Sequence, residues 1–381
     1  MKTGQRLMEN ESQPHVNEIN DDREKWVMKV TKRKKSSVFG LTAAAVLIAI
    51  TAGCGGNAGV KETGAAAGQE KSAAAAAVKQ VDVQFALDTA ATGSPQSRVA
   101  VEQGYFGKNG VQAKTFDFPY GIDTLNALLV DRADVGSAAD YALLNSLGKG
   151  DMVILGTLSR ANEVSAKNSV LLVRSGINSE QDLAGKKLGV ARGTVFEYVW
   201  AKYLEKLGIP KDKVTYVNYS SPDEALVALK RGQMDAIWAS GAVREKLKEV
   251  EGVKELVDSS KTGVYVKAFL VARRSFVEQH PDAAAGTLKA LKEATDYIGG
   301  HKQETAQLLF DKIKLPQAGV LKDLEAASYV VGFTQEDYEH LSEMQKWLQD
   351  QGILKGSYDL KSKINVEPLK KALPESVTYK P

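Results

Sequence analysis

Cysteine is almost missing from this 381-residue chain, which holds one, Cys54. A single thiol excludes disulfides within one chain, and cysteine-ligated metal sites with them. Histidine is nearly as scarce: of four, His280, His301 and His340 fall near the C-terminal end. No cluster at metal spacing, phosphate-cradling GxxxxGKS/T run or GxSxG elbow accompanies them, so neither catalysis nor a metal or cofactor is expected. Long apolar runs are lacking too. The longest, Val38–Ile50, spans roughly 20 Å as a helix against a bilayer core of about 30 Å. Neither sign of charge dominates. Residues 1–53 hold nine of the 50 Lys+Arg and six of the 47 Asp+Glu, leaving 41 of each beyond them. Overall charge therefore gives no reason to expect a nucleic-acid partner or a polybasic membrane patch.

The one cysteine closes the run KVTKRKKSSVFGLTAAAVLIAITAGC. Lys29, Lys32, Arg33, Lys34 and Lys35 precede the apolar segment in the order of an export signal, and the small residues Thr51, Ala52 and Gly53 suit a signal peptidase. ITAGC resembles the bacterial lipoprotein box, with Thr51 where that box usually has an aliphatic residue. The resemblance implies a lipid on Cys54 as the mature N-terminus. The rest would then lie outside the cytoplasm, tethered to the membrane at its periplasmic face or outer surface. An uncleaved anchor is the other reading, and the lysines would orient it the same way. Residues 1–27 are polar and of mixed charge, an odd preface to such a signal, which points to Met28 as the start.

Residues 54–80 are mostly Gly, Ala and Ser with a few charges, the composition of a flexible tether. A patterned region of about 300 residues follows, enough for two lobes. In VDVQFALD, Val81, Val83, Phe85 and Leu87 alternate with other residues at the period of a strand. Similar runs predict strands at 111–118, 134–138, 152–157, 169–174, 187–191, 214–219, 234–238 and 264–271, with amphipathic helices between most of them. This is an α/β chain. After Arg273 the pattern turns helical: a long helix from Pro281, then helices at 304–313, 320–331 and 336–350, and a tail over 366–381.

Five stretches carry a resemblance. They are SPQSRVAVEQGYFGKNGVQAK from Ser94, TLNALLVDRADVGSAAD from Thr124, SEQDLAGKKLGVARGTVFEYVWAKYLEKLGI from Ser179, SPDEALVALKRGQMDAIWAS from Ser221, and VARRSFVEQHPDAAAGTLKAL from Val271. In order and spacing the chain resembles extracytoplasmic solute-binding proteins of the nitrate, taurine and sulfonate type, the receptor subunits of ABC importers. The match runs over about 81–370. It implies the type II periplasmic-binding-protein fold, two α/β lobes joined by two crossover strands with a helical C-terminal end. Lobe 1 would be 81–171 with 270–365, lobe 2 would be 172–269, and the strands at 169–174 and 264–271 would stand at the crossings. The implied partners are a small sulfonate, taurine-like or related organic anion or zwitterion as ligand, a permease with its ATPase, and the membrane through the lipid on Cys54. The receptor is expected to be a monomer. Nitrate, bicarbonate or a pyrimidine precursor of thiamine are alternative ligands. A sensor feeding a membrane kinase is an alternative role.

The sharpest local candidate is VARGT, Val190–Thr194. A strand runs into Arg192 and Gly193, Thr194 can cap the next helix, and that helix start offers unpaired N–H groups, at Val195 among others, to an anion. Arg192 could pair bidentately with a sulfonate or carboxylate. A capped turn with Arg192 in solvent is the other reading. Opposite it, Thr92 and Ser94 in the loop after the first strand, and Ser137, Ala138 and Tyr141 at a later strand end, fall where α/β sheets form crevices. Asp140 is either the cap of the helix that follows or a group facing the cleft, where it would favour an amine. Trp238 and Ser240 would supply a third wall, with Trp238 enclosing an apolar ligand body or filling the core. Of Phe196 and Tyr198, at most one should face ligand.

Overall fold

The alternating residues Val83, Phe85 and Leu87 of the first strand are all buried, and that strand pairs in parallel, Val81 opposite Val111 through Asp88 opposite Phe118, with the second. The computed structural model describes residues 80–90, 92–354 and 356–380. The expected signal, Cys54 and the tether lie outside the described residues.

Eleven strands are described: β1 Val81–Asp88, β2 Val111–Phe118, β3 Val135–Ala139, β4 Met152–Arg160, β5 Ser169–Arg174, β6 Lys187–Val190, β7 Thr215–Asn218, β8 Ala236–Ser240, β9 Val253–Asp258, β10 Lys267–Arg273 and β11 Ser328–Gly332. The helices before the second sheet are α1 Pro95–Glu102, α2 Tyr105–Lys108, α3 Gly121–Leu129, α4 Asp140–Leu147 and α5 Glu163–Asn168. Within and after that sheet come α6 Val195–Leu207, α7 Pro222–Lys230, α8 Gly241–Lys248, α9 Arg274–Gln279, α10 Pro281–Gly300, α11 Lys302–Ile313, α12 Gln317–Ala326, α13 Gln335–Asp350 and α14 Glu367–Ala372.

Two sheets divide the strands, six in the order β11-β4-β10-β3-β1-β2 and five in the order β7-β6-β8-β5-β9. Each is parallel on one side and antiparallel on the other. The antiparallel pairing enters with β10 in the first sheet and with β5 in the second, the first strand after each passage between sheets. The passages run through 161–168 and 259–266, side by side: Ala161 N–H donates to Val266 O at 2.8 Å, and Ser259 Oγ donates to Ala166 O at 2.8 Å. The two strands expected at the crossings thus stand at them, and the molecule has the two-lobed periplasmic-binding-protein fold.

One helix fixes the pivot between the lobes. On α13, Asp337 is fully buried and accepts from Arg160 Nε at 2.9 Å, Lys267 Nζ at 3.0 Å and Thr157 Oγ1 at 2.9 Å. Arg160 ends β4, Lys267 begins β10, and the two are opposite each other in the sheet. Burial pushes the Asp337 carboxyl up, but the hydrogen bonds from Arg160 and Thr334 and the charges of Arg160 and Lys267 outweigh it and hold it well below the usual carboxylate range.

The C-terminal region differs from the sequence expectation. The helix expected over 320–331 ends at Ala326, and Ser328–Gly332 pairs as an edge strand with β4. The run Tyr329-Val330-Val331 is aromatic and β-branched, and an open sheet edge decides its state. The strand β9 was not expected either. Its residues are half-buried or exposed without a two-residue alternation, so periodicity gave no signal.

Candidate functional site

Between the sheets lies a cavity of about 360 Å³ whose wall draws on both lobes and both passages. From the first lobe come the loop after β1 with Asp88, Thr92 and Ser94, the start of α3 with Tyr120 and Ile122, and the β3 end with Ser137 and Ala138. From the second come Thr194, Val195 and Phe196 at the start of α6, Tyr219 before α7, and Trp238, Ala239 and Ser240 on β8. Tyr120 and Tyr219 meet across the cleft with ring centroids 6.5 Å apart. The C-terminal region adds Asp323 and Tyr329.

Eight of the expected residues line this cavity: Thr92, Ser94, Ser137, Ala138, Thr194, Val195, Trp238 and Ser240. Phe196 also lines it, whereas Tyr198 turns away and meets Trp347 edge-on with centroids 4.7 Å apart. Trp238 is only 1% exposed and packs edge-on against Trp200 and Tyr203, so it is a core tryptophan that touches the cavity rather than an enclosing ring.

Asp140, Tyr141, Arg192 and Gly193 stand outside the cavity wall. Asp140 is fully buried. Its Oδ2 accepts from Lys267 N–H at 3.0 Å and lies 2.7 Å from His340 Nε2, while Oδ1 accepts from Tyr141 N–H at 2.8 Å. It ties α4 to the pivot and neither caps from outside the helix nor faces the cleft.

The anion dock expected at Arg192–Thr194 already holds an anion. Glu197, one turn into α6, folds back so that its Oε2 accepts from Gly193 N–H at 2.9 Å, and its Oε1 lies 3.7 Å from Arg192 Nη1. Gly193, at φ 77°, takes the left-handed turn that presents this N–H. Thr194 Oγ1 accepts from Phe196 N–H at 3.3 Å and donates to Ala191 O at 2.7 Å. The helix cap expected of Thr194 is therefore present. Arg192 projects to solvent with its side chain 64% exposed.

The residues that pattern reading missed are mostly polar. Asp88 ends β1; burial pushes its carboxyl up to about 6, against a hydrogen bond from Ser94 Oγ at 3.1 Å. Asp323, on α12, is pushed by burial to about 7, with Arg244 and Lys322 opposing and Glu245 adding to the shift. Tyr329 Oη donates to Thr92 Oγ1 at 2.9 Å. Among the described residues Arg160 is the only cation in the wall, and Asp337 binds its guanidinium. The rule that places crevices beyond strand ends would have found Asp88. No local signal marks Asp323, which arrives from a distant helix.

Two mixed sheets joined by paired passages and closed over a cavity built from both lobes define a solute-binding protein of the periplasmic-binding-protein fold. The chain belongs to the NMT1/THI5-like family, whose sequence pattern matches residues 97–305. It is 27% identical over 236 residues to a binding protein of Brucella abortus (strain 2308), covering 60% of this chain and 70% of that one. It is 26% identical over 220 residues to the taurine-binding periplasmic protein of Escherichia coli (strain K12), covering 56% and 65%. The alkanesulfonate-binding protein SsuA from Xanthomonas axonopodis pv. citri, solved with bound MOPS, superposes with a TM-score of 0.66 at 18% identity, over 75% of this chain and 99% of that one. That last likeness is one of fold.

Proposed function

We propose that this protein is the receptor of an ABC importer, taking a small organic solute into the cavity between its lobes and delivering it to a membrane permease powered by an ATPase. The observation that carries the reading is the cavity itself. Its volume of about 360 Å³ suits a small organic molecule, its wall is mostly apolar, and both lobes supply it, so a ligand touching both would favour the closed form. The relatives named for taurine and alkanesulfonate binding support the solute class. We further propose a lipid on Cys54, which would hold a single-chain receptor at the outer face of the membrane and raise its effective concentration at the permease. The lobes would move about 161–168 and 259–266.

No reaction belongs to this reading: among the described residues the wall contains no histidine, cysteine, lysine or glutamate. Nitrate and bicarbonate fit it least, because Arg160, the one cation among the described wall residues, is bound by Asp337 and offers them no free charge. A sulfonate would have to rely on the hydroxyls of Thr92, Ser94, Ser137 and Ser240 and on the start of α6.

The test is the melting temperature of the full chain with taurine, alkanesulfonates, nitrate, bicarbonate and aminopyrimidines in turn. A ligand at a hundredfold excess over its dissociation constant stabilises by roughly 2.7 kcal/mol, an easily measured shift. A shift with one organic solute, lost when Ala90 in the cavity wall becomes tryptophan, supports the reading. A shift that survives Ala90→Trp removes the cavity from it.

A further inference from the structure

Two tyrosines from opposite lobes meet in the cavity wall without a polar partner. Tyr120 stands between β2 and α3 and Tyr219 between β7 and α7, so each follows the edge strand of its own sheet. Their main chains are held: Tyr120 N–H donates to Asp123 Oδ2 at 3.2 Å, and Tyr219 N–H donates to Val190 O at 3.2 Å. The ring centroids are 6.5 Å apart with the planes tilted by 55°, and both residues line the cavity. Tyr120 is 8% exposed and Tyr219 3%, yet among the described residues neither hydroxyl has a hydrogen-bond partner. Ser137 on β3, also 8% exposed, brings a third such hydroxyl to the wall.

Most other polar groups of the wall are engaged within the protein. Asp337 binds Arg160, Thr92 Oγ1 accepts from Tyr329, Thr194 Oγ1 donates to Ala191 O, and Ser94 Oγ donates to Asp88. The Asp323 carboxylate packs against Gly241 at the start of α8. Burial pushes the Asp88 carboxyl to about 6 and that of Asp323 to about 7, which lowers their charge near neutral pH. The wall thus offers no free charge to an anion and little to a cation. Burial also pushes both tyrosine hydroxyls up, and for Tyr120 the charges of Tyr219, Asp123, Glu224 and Asp223 add to the shift, so both keep their protons. A desolvated hydroxyl without a partner is costly, and one that keeps its proton can donate as well as accept.

Resting on the reading of this cavity as the solute site, we propose that the solute carries an uncharged head with both a hydrogen-bond acceptor and a donor, a carboxamide being the simplest. The hydroxyls of Tyr120 and Tyr219 read that head from opposite lobes. Either lobe alone satisfies half of it, and the second hydroxyl engages as the lobes close. The apolar remainder of the solute lies against Ile122, Phe196 and Ile237 of the wall. A carboxylate or sulfonate of similar size reaches the same hydroxyls but leaves its charge uncompensated in mostly apolar surroundings.

The experiment is equilibrium dialysis of the full chain against benzamide, benzoate and benzylamine, which share a ring and differ in the head. It compares wild type with Tyr120→Phe, Tyr219→Phe and the cavity-filling Ala90→Trp, each checked for an unchanged circular dichroism spectrum. Expected is retention of benzamide over both charged probes by roughly tenfold or more, weakened roughly three- to tenfold in each Phe variant and abolished in Ala90→Trp. The solute-free Phe variants should melt no lower than wild type, since the lost hydroxyls hold nothing within the protein. Benzoate or benzylamine retained as tightly as benzamide, and lost in Ala90→Trp, overturns the uncharged head and leaves the cavity reading standing. Benzamide binding unchanged in both Phe variants overturns the tyrosine pair as its seat, as does a lower melting temperature of both. Retention that persists in Ala90→Trp overturns the head and the cavity reading together. Retention of no probe at millimolar concentration also overturns the uncharged head.

Discussion

The Tyr141 hydroxyl donates to Glu197 Oε2 at 3.0 Å, joining α4 of the first lobe to α6 of the second. The same oxygen accepts the Gly193 N–H, so the bond across the cleft and the turn at the start of α6 share one acceptor. Beside it, Tyr198 of the second lobe meets Trp347 of α13 edge-on. These contacts join the two lobes.

Tyr141→Phe removes the hydrogen bond and keeps the ring. It is expected to shift the balance of closed and open forms toward open by about 1 kcal/mol. Small-angle scattering of the solute-free protein should show a larger radius of gyration; an unchanged radius would mean that the aromatic contact alone sets closure.

Asp337→Asn leaves Arg160 and Lys267 at the pivot without their shared counter-charge. Breaking such a buried pair costs about 3–5 kcal/mol, readable as a lower midpoint in urea unfolding. The wild-type carboxyl is held below the ordinary aspartate value of 3.8, so its contribution is present above that pH and fades as pH falls further. The Asn variant should lack that acid-side loss.

Asp88 and Asp323 act with the opposite sign. Each has a folded-state value, about 6 and about 7, above the 3.8 of an exposed aspartate, so the folded protein binds more protons than the unfolded chain between those values. Their contribution is full below pH 3.8 and is lost as pH rises through 6 and 7. Without solute, stability attributable to them falls from pH 4 to pH 7. Asp323→Asn should flatten part of that slope in melting curves and raise the melting temperature at pH 7.

Gly241 begins α8 at φ 52°, and a side chain there would run into the Asp323 carboxylate. Gly241→Ala therefore combines backbone strain with a clash at the contact between α8 and α12. A loss of more than about 1 kcal/mol is expected in chemical denaturation, with faster hydrogen exchange in α12. Gly319 across the contact should behave alike, since an added Cβ would come within 2.7 Å of Ala242 Cα.

The strands of the parallel halves were legible because their apolar residues recur at the period of a strand and sit in buried sheet. Val81–Asp88 and Val111–Phe118 have the limits that alternation predicts. The edge strands β9 and β11 were not, because pairing at a sheet edge defines them more than their own residues do. The site divides in the same way. Loop and strand-end positions such as Ser94, Ser137 and Thr194 followed from topology. Arg192 did not, because its charge has a rival partner five residues on, in Glu197. Asp323 is separated from Asp88 by most of the chain, and only tertiary packing brings both to the wall of one cavity.

The carboxylate that Glu197 places on the Gly193 N–H also shapes what the protein ignores. A helix start left bare would attract chloride, phosphate and sulfate from the surrounding medium, and each would compete near the mouth of the cleft. With the Gly193 N–H taken by a tethered carboxylate and the Phe196 N–H by Thr194 Oγ1, background anions gain little at that turn. On the proposed reading, occupancy of the cleft would then follow the solute rather than the ionic composition of the medium.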